Sequence, residues 1–286
     1  MKAVITGAGG QLASCVVKTA PEDVEVVALT RADLDITDAA AVGAMMESLA
    51  PNLIFNCAAY TDVDRAEAEP DAAFAVNADG SANVAQAATR LGARLVHVST
   101  DFVFDGSTST PYVPEAPTAP LNVYGASKLA GERKILDEGS EALIVRTAWL
   151  YAMGYRNFVA TMLRLMNERS EIRVVADQVG TPTHGPTLAR GLWQLAGRGA
   201  SGIYHLTDAG VASWYDFAEG IKDEARQAGL LAADPAIVPI SSSEYPTAAK
   251  RPPYSVLDKD RTWAELGWRP RHWRAELRDA LQSCHG

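Results

Sequence analysis

Short apolar, β-branched runs alternate with longer stretches of helical periodicity through the first half of the chain. Ala3–Ile5, Val24–Leu29, Leu53–Cys57, Arg94–Ser99 and Ala142–Arg146 have the length and near-continuous apolar character of strands covered on both faces. Between them, Leu12–Thr19, Ala39–Leu49, the alanine-rich Ala72–Leu91 and Leu121–Leu136 read as helices, the second introduced by Thr37 and Asp38 as cap candidates. Such alternation predicts an α/β fold with a parallel, doubly wound sheet. Beyond about residue 150 the regularity weakens. Helices are expected at Phe158–Glu168, Thr187–Ala196, Trp214–Gln227 and Trp263–Leu281, a strand at Ile172–Val175, and an irregular Ser- and Pro-rich stretch at Ser241–Tyr254. Residues 1–150 read as one domain and 151–286 as a smaller C-terminal α/β lobe, with elements of about 171–197 returning to the first.

Composition narrows the function classes. The 286 residues are 48% hydrophobic and 21% charged, enough to bury a sizeable core. A net charge of -9 argues against general binding to nucleic acid or anionic membrane, although local backbone donors can still hold a small anion. No stretch approaches the roughly 18–20 apolar residues of a membrane span. Met1–Ile5 starts as a strand and not as a signal peptide, so a cytoplasmic location is expected. Cys15, Cys57 and Cys284 follow no disulfide or metal spacing and read as reduced thiols. The five histidines are scattered, so no metal site is expected.

Directly after the first strand stands Thr6-Gly7-Ala8-Gly9-Gly10-Gln11-Leu12-Ala13. A chain leaving a strand here must turn tightly and bring its backbone close to a pyrophosphate, which the N–H groups of the next helix then bind. This context makes the first domain a Rossmann-type dinucleotide-binding domain. An NAD site places an acid at the tip of the second strand, but here that strand ends Leu29-Thr30-Arg31. Arg31 can pair with a 2′-phosphate or remain solvated, and Asp33 or Asp35 can border the adenine side. NADPH is therefore expected ahead of NADH.

Tyr124-Gly125-Ala126-Ser127-Lys128 puts a phenol and an ammonium on one face of a helix. The ammonium is expected to lower the phenol pKa, so that Tyr124 exchanges a proton with an oxyanion as hydride moves. The fourth strand ends Ser99-Thr100-Asp101, at the sheet edge where such folds place ligands. Thr100 is either a hydrogen-bond donor to the substrate oxygen beside Tyr124 or a cap at the strand end.

These blocks resemble the extended short-chain dehydrogenase/reductase family and, within it, the dTDP-4-dehydrorhamnose reductase group. The likeness also covers Asn56 through Asp64 with Ala66-Glu67, Ser99 through Gly106, Pro120 through Glu132, Arg146 through Tyr151, Asp177 through Thr183, and Arg251-Pro252. It implies a nucleotide-sugar substrate whose C4 keto group is reduced with NADPH. By the same resemblance Gly7, Gly10, Gln11 and Leu12 line the pyrophosphate, Asp35 and Ile36 border adenine, and Ala58, Ala59 and Thr61 touch the nicotinamide side. Thr100, Tyr124 and Lys128 form the catalytic set, with Tyr124 and Lys128 also contacting the cofactor. Val63, Asp101 and Trp149 meet the sugar, and Arg251 meets the diphosphate. Trp149 as a core residue and Arg251 as a surface ion pair are the structural alternatives.

The chain departs from the group at three points. Ala13 replaces the usual third glycine, and Phe102 stands where the group commonly has Tyr. Some members dimerise through magnesium-holding acids, whereas this chain has Ser14 and Cys15 on the first helix, so a monomer or a magnesium-free dimer is expected. Three other functions share many of these motifs: related nucleotide-sugar 4-ketoreductases, nucleotide-sugar epimerases and dehydratases, and a non-catalytic NADPH-binding regulatory subunit.

Overall fold

The computed structural model describes residues 1–138 and 141–283, so Cys284, expected as a free thiol, lies outside the described residues. The first half contains β1 (Lys2–Thr6), α1 (Gln11–Lys18), β2 (Glu25–Leu29), α2 (Ala39–Leu49), β3 (Leu53–Asn56), α3 (Val63–Ala68) and α4 (Pro70–Phe74). A π-helical stretch, Ala75–Gly80, leads into α5 (Ser81–Leu91), then β4 (Arg94–Thr100), α6 (Val123–Asp137) and β5 (Leu143–Thr147). The second half adds β6 (Leu150–Tyr151), α7 (Phe158–Glu168), β7 (Glu171–Val175), β8 (Val179–Gly180), β9 (Thr183–His184) and α8 (Gly185–Gly197). It closes with β10 (Gly202–His205), β11 (Ala212–Ser213), α9 (Trp214–Gln227), β12 (Ala236–Ile240), α10 (Asp260–Leu266) and α11 (Trp273–Gln282).

Six strands form one all-parallel sheet in the order β10-β5-β4-β3-β1-β2. This is the doubly wound α/β sheet expected, and its strand order reverses between β1 and β3, where such folds bind ligands. One face is packed by α1 and α8, with Leu12, Val16, Leu188 and Leu192 against Ile5, Phe55 and Val145. The other face carries α2, α5 and α6 over Val4, Ile54, Leu95 and Ile144.

A second apolar cluster lies outside this sheet, where α7, α9 and α11 enclose β7 through Val159, Ile172, Phe217 and Leu277. From the segment 171–197, α8 packs on the large sheet, but β7 pairs with β12 in a separate two-stranded sheet. The large sheet also gains β10, a strand not anticipated from the sequence.

Two expected helices are broken. Ala72–Leu91 spans part of α4, the π stretch and α5. The π turn brings Asn77 to the loop after β3: its Oδ1 accepts from Tyr60 N at 2.8 Å, and its Nδ2 donates to Tyr60 O at 3.0 Å and Ser127 Oγ at 2.9 Å. Trp263–Leu281 divides into α10 and α11, because Gly267 ends α10 in the left-handed region at φ 73° and Pro270 follows.

Candidate active site

The glycine turn is forced by its neighbours. Gly7 has φ 72°, and a Cβ there would sit 2.7 Å from Ala58 N and 2.8 Å from Ala58 Cα. Only glycine both adopts that backbone and lets the turn lie against the end of β3. Helix α1 then starts at Gly10 with no side-chain cap and no acid in its first turn, which leaves its N–H groups available to an anion. Gln11 fastens this end to the second half: its Nε2 donates to Leu150 O, and its Oε1 accepts from Ala152 N and Asn157 Nδ2.

A cavity of about 650 Å³ runs from this turn past the carboxyl ends of β3, β4 and β5. It contains Gly7, Gly10, Gln11, Leu12, Arg31, Ala58, Ala59, Thr61 and Val63 along one part, and Thr100, Asp101, Tyr124, Lys128, Trp149 and Arg251 along another. A smaller cavity of about 160 Å³, sharing Gly7 and Arg31, adds Asp35 and Ile36. Every candidate residue from the sequence except Asp33 therefore borders one of two adjoining cavities; of the two acids offered for the adenine side, only Asp35 does. Cys57, Ser99, Thr147 and Trp214 also line the larger one and were not singled out. Ser99 and Thr147 flank Thr100 and Arg146 inside the quoted blocks, whereas Trp214, at the start of α9, carries no sequence signal beyond an aromatic at a helix start.

At the second-strand tip, Arg31 is largely exposed and, among the described residues, pairs with Asp35 at 3.5 Å. Asp33 turns back to accept from the Thr30 N–H and hydroxyl, and Asp35 accepts from Thr37. The Arg31 guanidinium is thus free to meet an anion.

Tyr124 and Lys128 stand one turn apart on α6, whose N-terminus is capped by Asn122 accepting from Gly125 N at 2.8 Å. Gly125 brings α6 hard against the carbonyl of Phe102, which places Tyr124 beside the end of β4. The Phe102 ring stands edge-on to Tyr124 at 5.8 Å. Thr100 does cap its strand end, accepting from Phe102 N, and also donates to Asp101 Oδ1 at 3.0 Å. Thr100 thus serves as the strand-end cap and also lines the cavity.

The electrostatics differ from expectation at one point. Burial pushes the Tyr124 phenol up to about 12, the Thr100 hydroxyl works against this, and Asp101 adds to it. The lowering anticipated from Lys128 is absent because burial brings Lys128 to about 8, so it has lost its charge before a phenol near 12 titrates; its nitrogen donates to Val98 O at 2.7 Å and lies 3.3 Å from His97 Nε2. Tyr124 is accordingly held protonated. Burial pushes Lys128 down to about 8 and the Asp101 carboxyl up to about 6, with the Ser255 and Thr100 hydroxyls opposing the latter.

Trp149 has φ 45°, an uncommon conformation for a non-glycine residue, and its ring stacks on Trp214 with centroids 3.6 Å apart and 7° between planes. Gly180 makes room for that ring, since a Cβ there would lie 2.7 Å from Trp149 Cε2. Trp149 is half-buried and faces the cavity while leaning on the second cluster. Arg251 also reaches the cavity, but Asp64 holds both its Nη atoms, at 2.7 and 3.2 Å. Its ion-pair alternative is therefore what the structure contains, with Asp64 partnering it from α3. Among the described residues no group of His, Cys, Asp and Glu is arranged to hold a metal. No described helix is long and apolar enough to cross a membrane.

A glycine turn at an uncapped helix start, an elongated cavity along the strand ends and a Thr–Tyr–Lys set within it fit a nicotinamide dinucleotide and a carbonyl substrate. Fold and site together define a Rossmann-type oxidoreductase. The family model described as the RmlD substrate binding domain matches residues 1–285, and the chain belongs to that family. It is 45% identical to the dTDP-4-dehydrorhamnose reductase of Mycobacterium tuberculosis, over 97% of this chain and 91% of the relative. It is 41% identical to the spore coat polysaccharide biosynthesis protein SpsK of Bacillus subtilis, over 98% of this chain and 97% of that one. The crystal structure of the Bacillus anthracis dTDP-4-dehydrorhamnose reductase in complex with NADP superposes with a TM-score of 0.94, at 37% identity and 99% coverage of both chains.

Proposed function

We propose that this protein reduces the C4 keto group of dTDP-4-dehydro-L-rhamnose to give dTDP-L-rhamnose, with NADPH as the reductant. The observation that carries the reading is the convergence of Thr100, Tyr124 and Lys128 in the cavity that starts at the glycine turn, in a chain so similar to known reductases of this sugar.

When bound, the reduced nicotinamide supplies hydride. The chain's own residues then divide the remaining work. Gly7, Gly10, Gln11 and Leu12 offer backbone to the pyrophosphate, Arg31 offers its guanidinium to the 2′-phosphate, and Asp35 and Ile36 flank adenine. Ala58, Ala59 and Thr61 wall the nicotinamide side. Tyr124 gives its phenolic proton to the forming C4 alkoxide, Thr100 holds the same oxygen, and Lys128 supplies positive charge and a ribose contact. Val63, Asp101 and Trp149 meet the sugar. Arg251, compensated by Asp64, acts on the diphosphate chiefly through its charge. Alignment of donor and carbonyl and acid catalysis together lower the barrier.

In this reading residues 1–150 form the dinucleotide domain and 151–286 the substrate lobe, with α8 and β10 packed on the former. The protein works in the cytoplasm without a bound metal, as a monomer or a magnesium-free dimer. The first-helix positions support this, since Ser14 is bonded to Tyr155 and Cys15 is buried against Gly185.

The test follows NADPH absorbance with the keto-sugar generated in place by its upstream enzymes. Sugar-dependent oxidation is expected, and Tyr124→Phe should lower kcat by about 10²–10⁴-fold with cofactor affinity nearly intact. Near-normal turnover in that variant would refute the acid assignment, and no oxidation by the parent protein would refute the substrate.

A further inference from the structure

Three residues stand opposite one another across adjacent parallel strands. Thr6 of β1 is in register with Asn56 of β3, and Asn56 with His97 of β4. All three are buried, with exposures of 1%, 1% and 0%. Two residues earlier on each strand, the same face carries Val4, Ile54 and Leu95, which are plain apolar core. The polar row is connected: the Thr6 hydroxyl donates to Asn56 Oδ1 at 2.8 Å, and Asn56 Nδ2 lies 3.2 Å from His97 Nδ1 and 3.3 Å from Ser81 Oγ. It ends on Lys128, whose Nζ lies 3.3 Å from His97 Nε2.

An ammonium has three protons and no lone pair. Val98 O takes one of them at 2.7 Å. A second points to His97 Nε2, so that nitrogen must present a lone pair, and the third is left for the cavity that Lys128 lines. This requirement puts the proton of the imidazole on Nδ1, which calls for the Asn56 amide to be turned end for end from the placement above, its oxygen toward Nδ1 and its NH2 toward the Thr6 oxygen, an exchange of O and N that leaves the shape of the side chain unchanged. Burial holds the imidazole well below its ordinary range, so His97 is neutral and able to accept.

We propose that His97 is the positioning residue for Lys128: its Nε2, set as an acceptor by Asn56, keeps the ammonium charged and aimed at the Tyr124 end of the cavity. The proposal rests on the reading that Lys128 serves the reduction, but the titration of Lys128 tests it independently of any substrate. The other groups that face Lys128 are Tyr124 and Glu132 on its own helix, and the Cys57 thiol after β3. Glu132 is itself paired with Arg146 of β5 at 2.7 Å. Glu132 and Cys57 favour the ammonium, burial opposes it more strongly, and the balance near pH 8 makes the group sensitive to one lost acceptor.

Two substitutions separate positioning from packing. In His97→Asn the amide sits where Nδ1 was, so the bond to Asn56 is kept and Nζ loses its acceptor. In His97→Gln the amide reaches the Nε2 position and offers oxygen to Nζ. The Lys128 midpoint is followed by NMR of ¹³Cε-labelled lysine in the cofactor-free protein, with Lys128→Arg assigning the signal. His97→Asn should lower the midpoint by about one pH unit, a tenfold change in proton affinity, and His97→Gln should stay near the parent value. The alkaline limb of kcat for keto-sugar reduction should move down by the same amount in His97→Asn. Loss of thermal stability in both variants with the midpoint unmoved would overturn the proposal. So would an Nε2–H tautomer seen by ¹⁵N NMR in the parent protein, a measurement that needs no variant to fold. If the parent turns over no keto-sugar, the substrate reading falls and the Lys128 titration still decides the role of His97.

Discussion

Replacing Gly7 by Ala puts the geometry of the glycine turn to a quantitative test. Two costs add. The residue holds φ 72°, where an L side chain costs about 1–2 kcal/mol. The new Cβ would also lie 2.7 Å from Ala58 N and 2.9 Å from Cys57 C. Both are backbone atoms at the end of a central strand and cannot swing away as a side-chain tip can, so overpacking of about 1–3 kcal/mol is added. The sum is roughly 2–5 kcal/mol. An unfolding entropy of about 2.1 cal/mol/K per residue makes roughly 0.6 kcal/mol per degree for a chain of 286 residues, so the expected fall in Tm is about 3–8 °C. Any relief must displace Ala58 and Ala59, which line both cavities, so NADPH affinity should fall as well. Gly9→Ala is the matched control, because a Cβ at Gly9 meets nothing within 4 Å and its φ is not positive. Differential scanning fluorimetry and NADPH fluorescence titration of the two variants give the comparison. Equal melting temperatures for Gly7→Ala and Gly9→Ala would refute the reasoning.

Two other perturbations probe the ends of the cavity. Arg31→Ala removes an exposed guanidinium that pairs with Asp35 at 3.5 Å; KM for NADPH should rise roughly tenfold or more with KM for NADH unchanged, and parallel changes in both would remove the 2′-phosphate assignment. Asp101→Asn tests a pH-linked cost. The buried carboxyl is pushed up to about 6, so between about pH 4 and 6 the folded state keeps a proton that the unfolded chain releases, and stability falls as pH rises through that window. Above it the penalty is complete, on the order of 3 kcal/mol. The neutral amide escapes it, so the variant should be the more stable protein at about pH 8, lose that advantage near pH 4, and turn over more slowly. Urea titrations at both pH values decide the matter, and a variant equally destabilised at each would show that the carboxylate is not strained.

What could be read from the sequence follows from physical length scales. Strands β1, β3, β4 and β5 are largely buried on both faces while the edge strand β2 is partly exposed, so the apolar runs stand out, and β3 and β4 differ from expectation by a single residue at one end. Asp38 was identifiable as a cap and accepts from Ala41 N as one. The π turn at 75–80 was not readable, because an alanine-rich segment shows the same composition whether a turn holds one residue more or not. Its cause is tertiary, the reach of Asn77 to both Tyr60 and Ser127. The break between α10 and α11 was readable, since Gly267 and Pro270 stand in the sequence and the apolar pattern on either side was allowed to outweigh them. Two-residue strands such as β6, β8 and β9 are shorter than any periodicity. Of the cavity, the motif residues are visible at once, whereas His97 is not: a single histidine in a strand read as covered on both faces belongs to no motif.

That hidden residue bears on how the two halves of the site stay aligned. The turn that meets the pyrophosphate begins just after Thr6, and Thr6 Oγ1 accepts from Ala58 N at 3.3 Å, so the loop after β3 is tied to the same hydroxyl. The other end of the row reaches Lys128. Glycine turn, nicotinamide-side loop and ammonium are therefore referred to one cross-strand row, set by the register of three parallel strands. A register slip of one residue would turn Asn56 or His97 to the opposite face and break the chain of hydrogen bonds. A row of leucines at these positions would bury without any polar cost, but it would leave the distance between turn and ammonium to the softer packing of α1 and α6. Catalysis by alignment loses its advantage with misplacements of about 1 Å. Hydrogen bonds between strands fix such distances better than helix packing does, which accounts for a connected polar row where β1 and β3 end, on an otherwise apolar face.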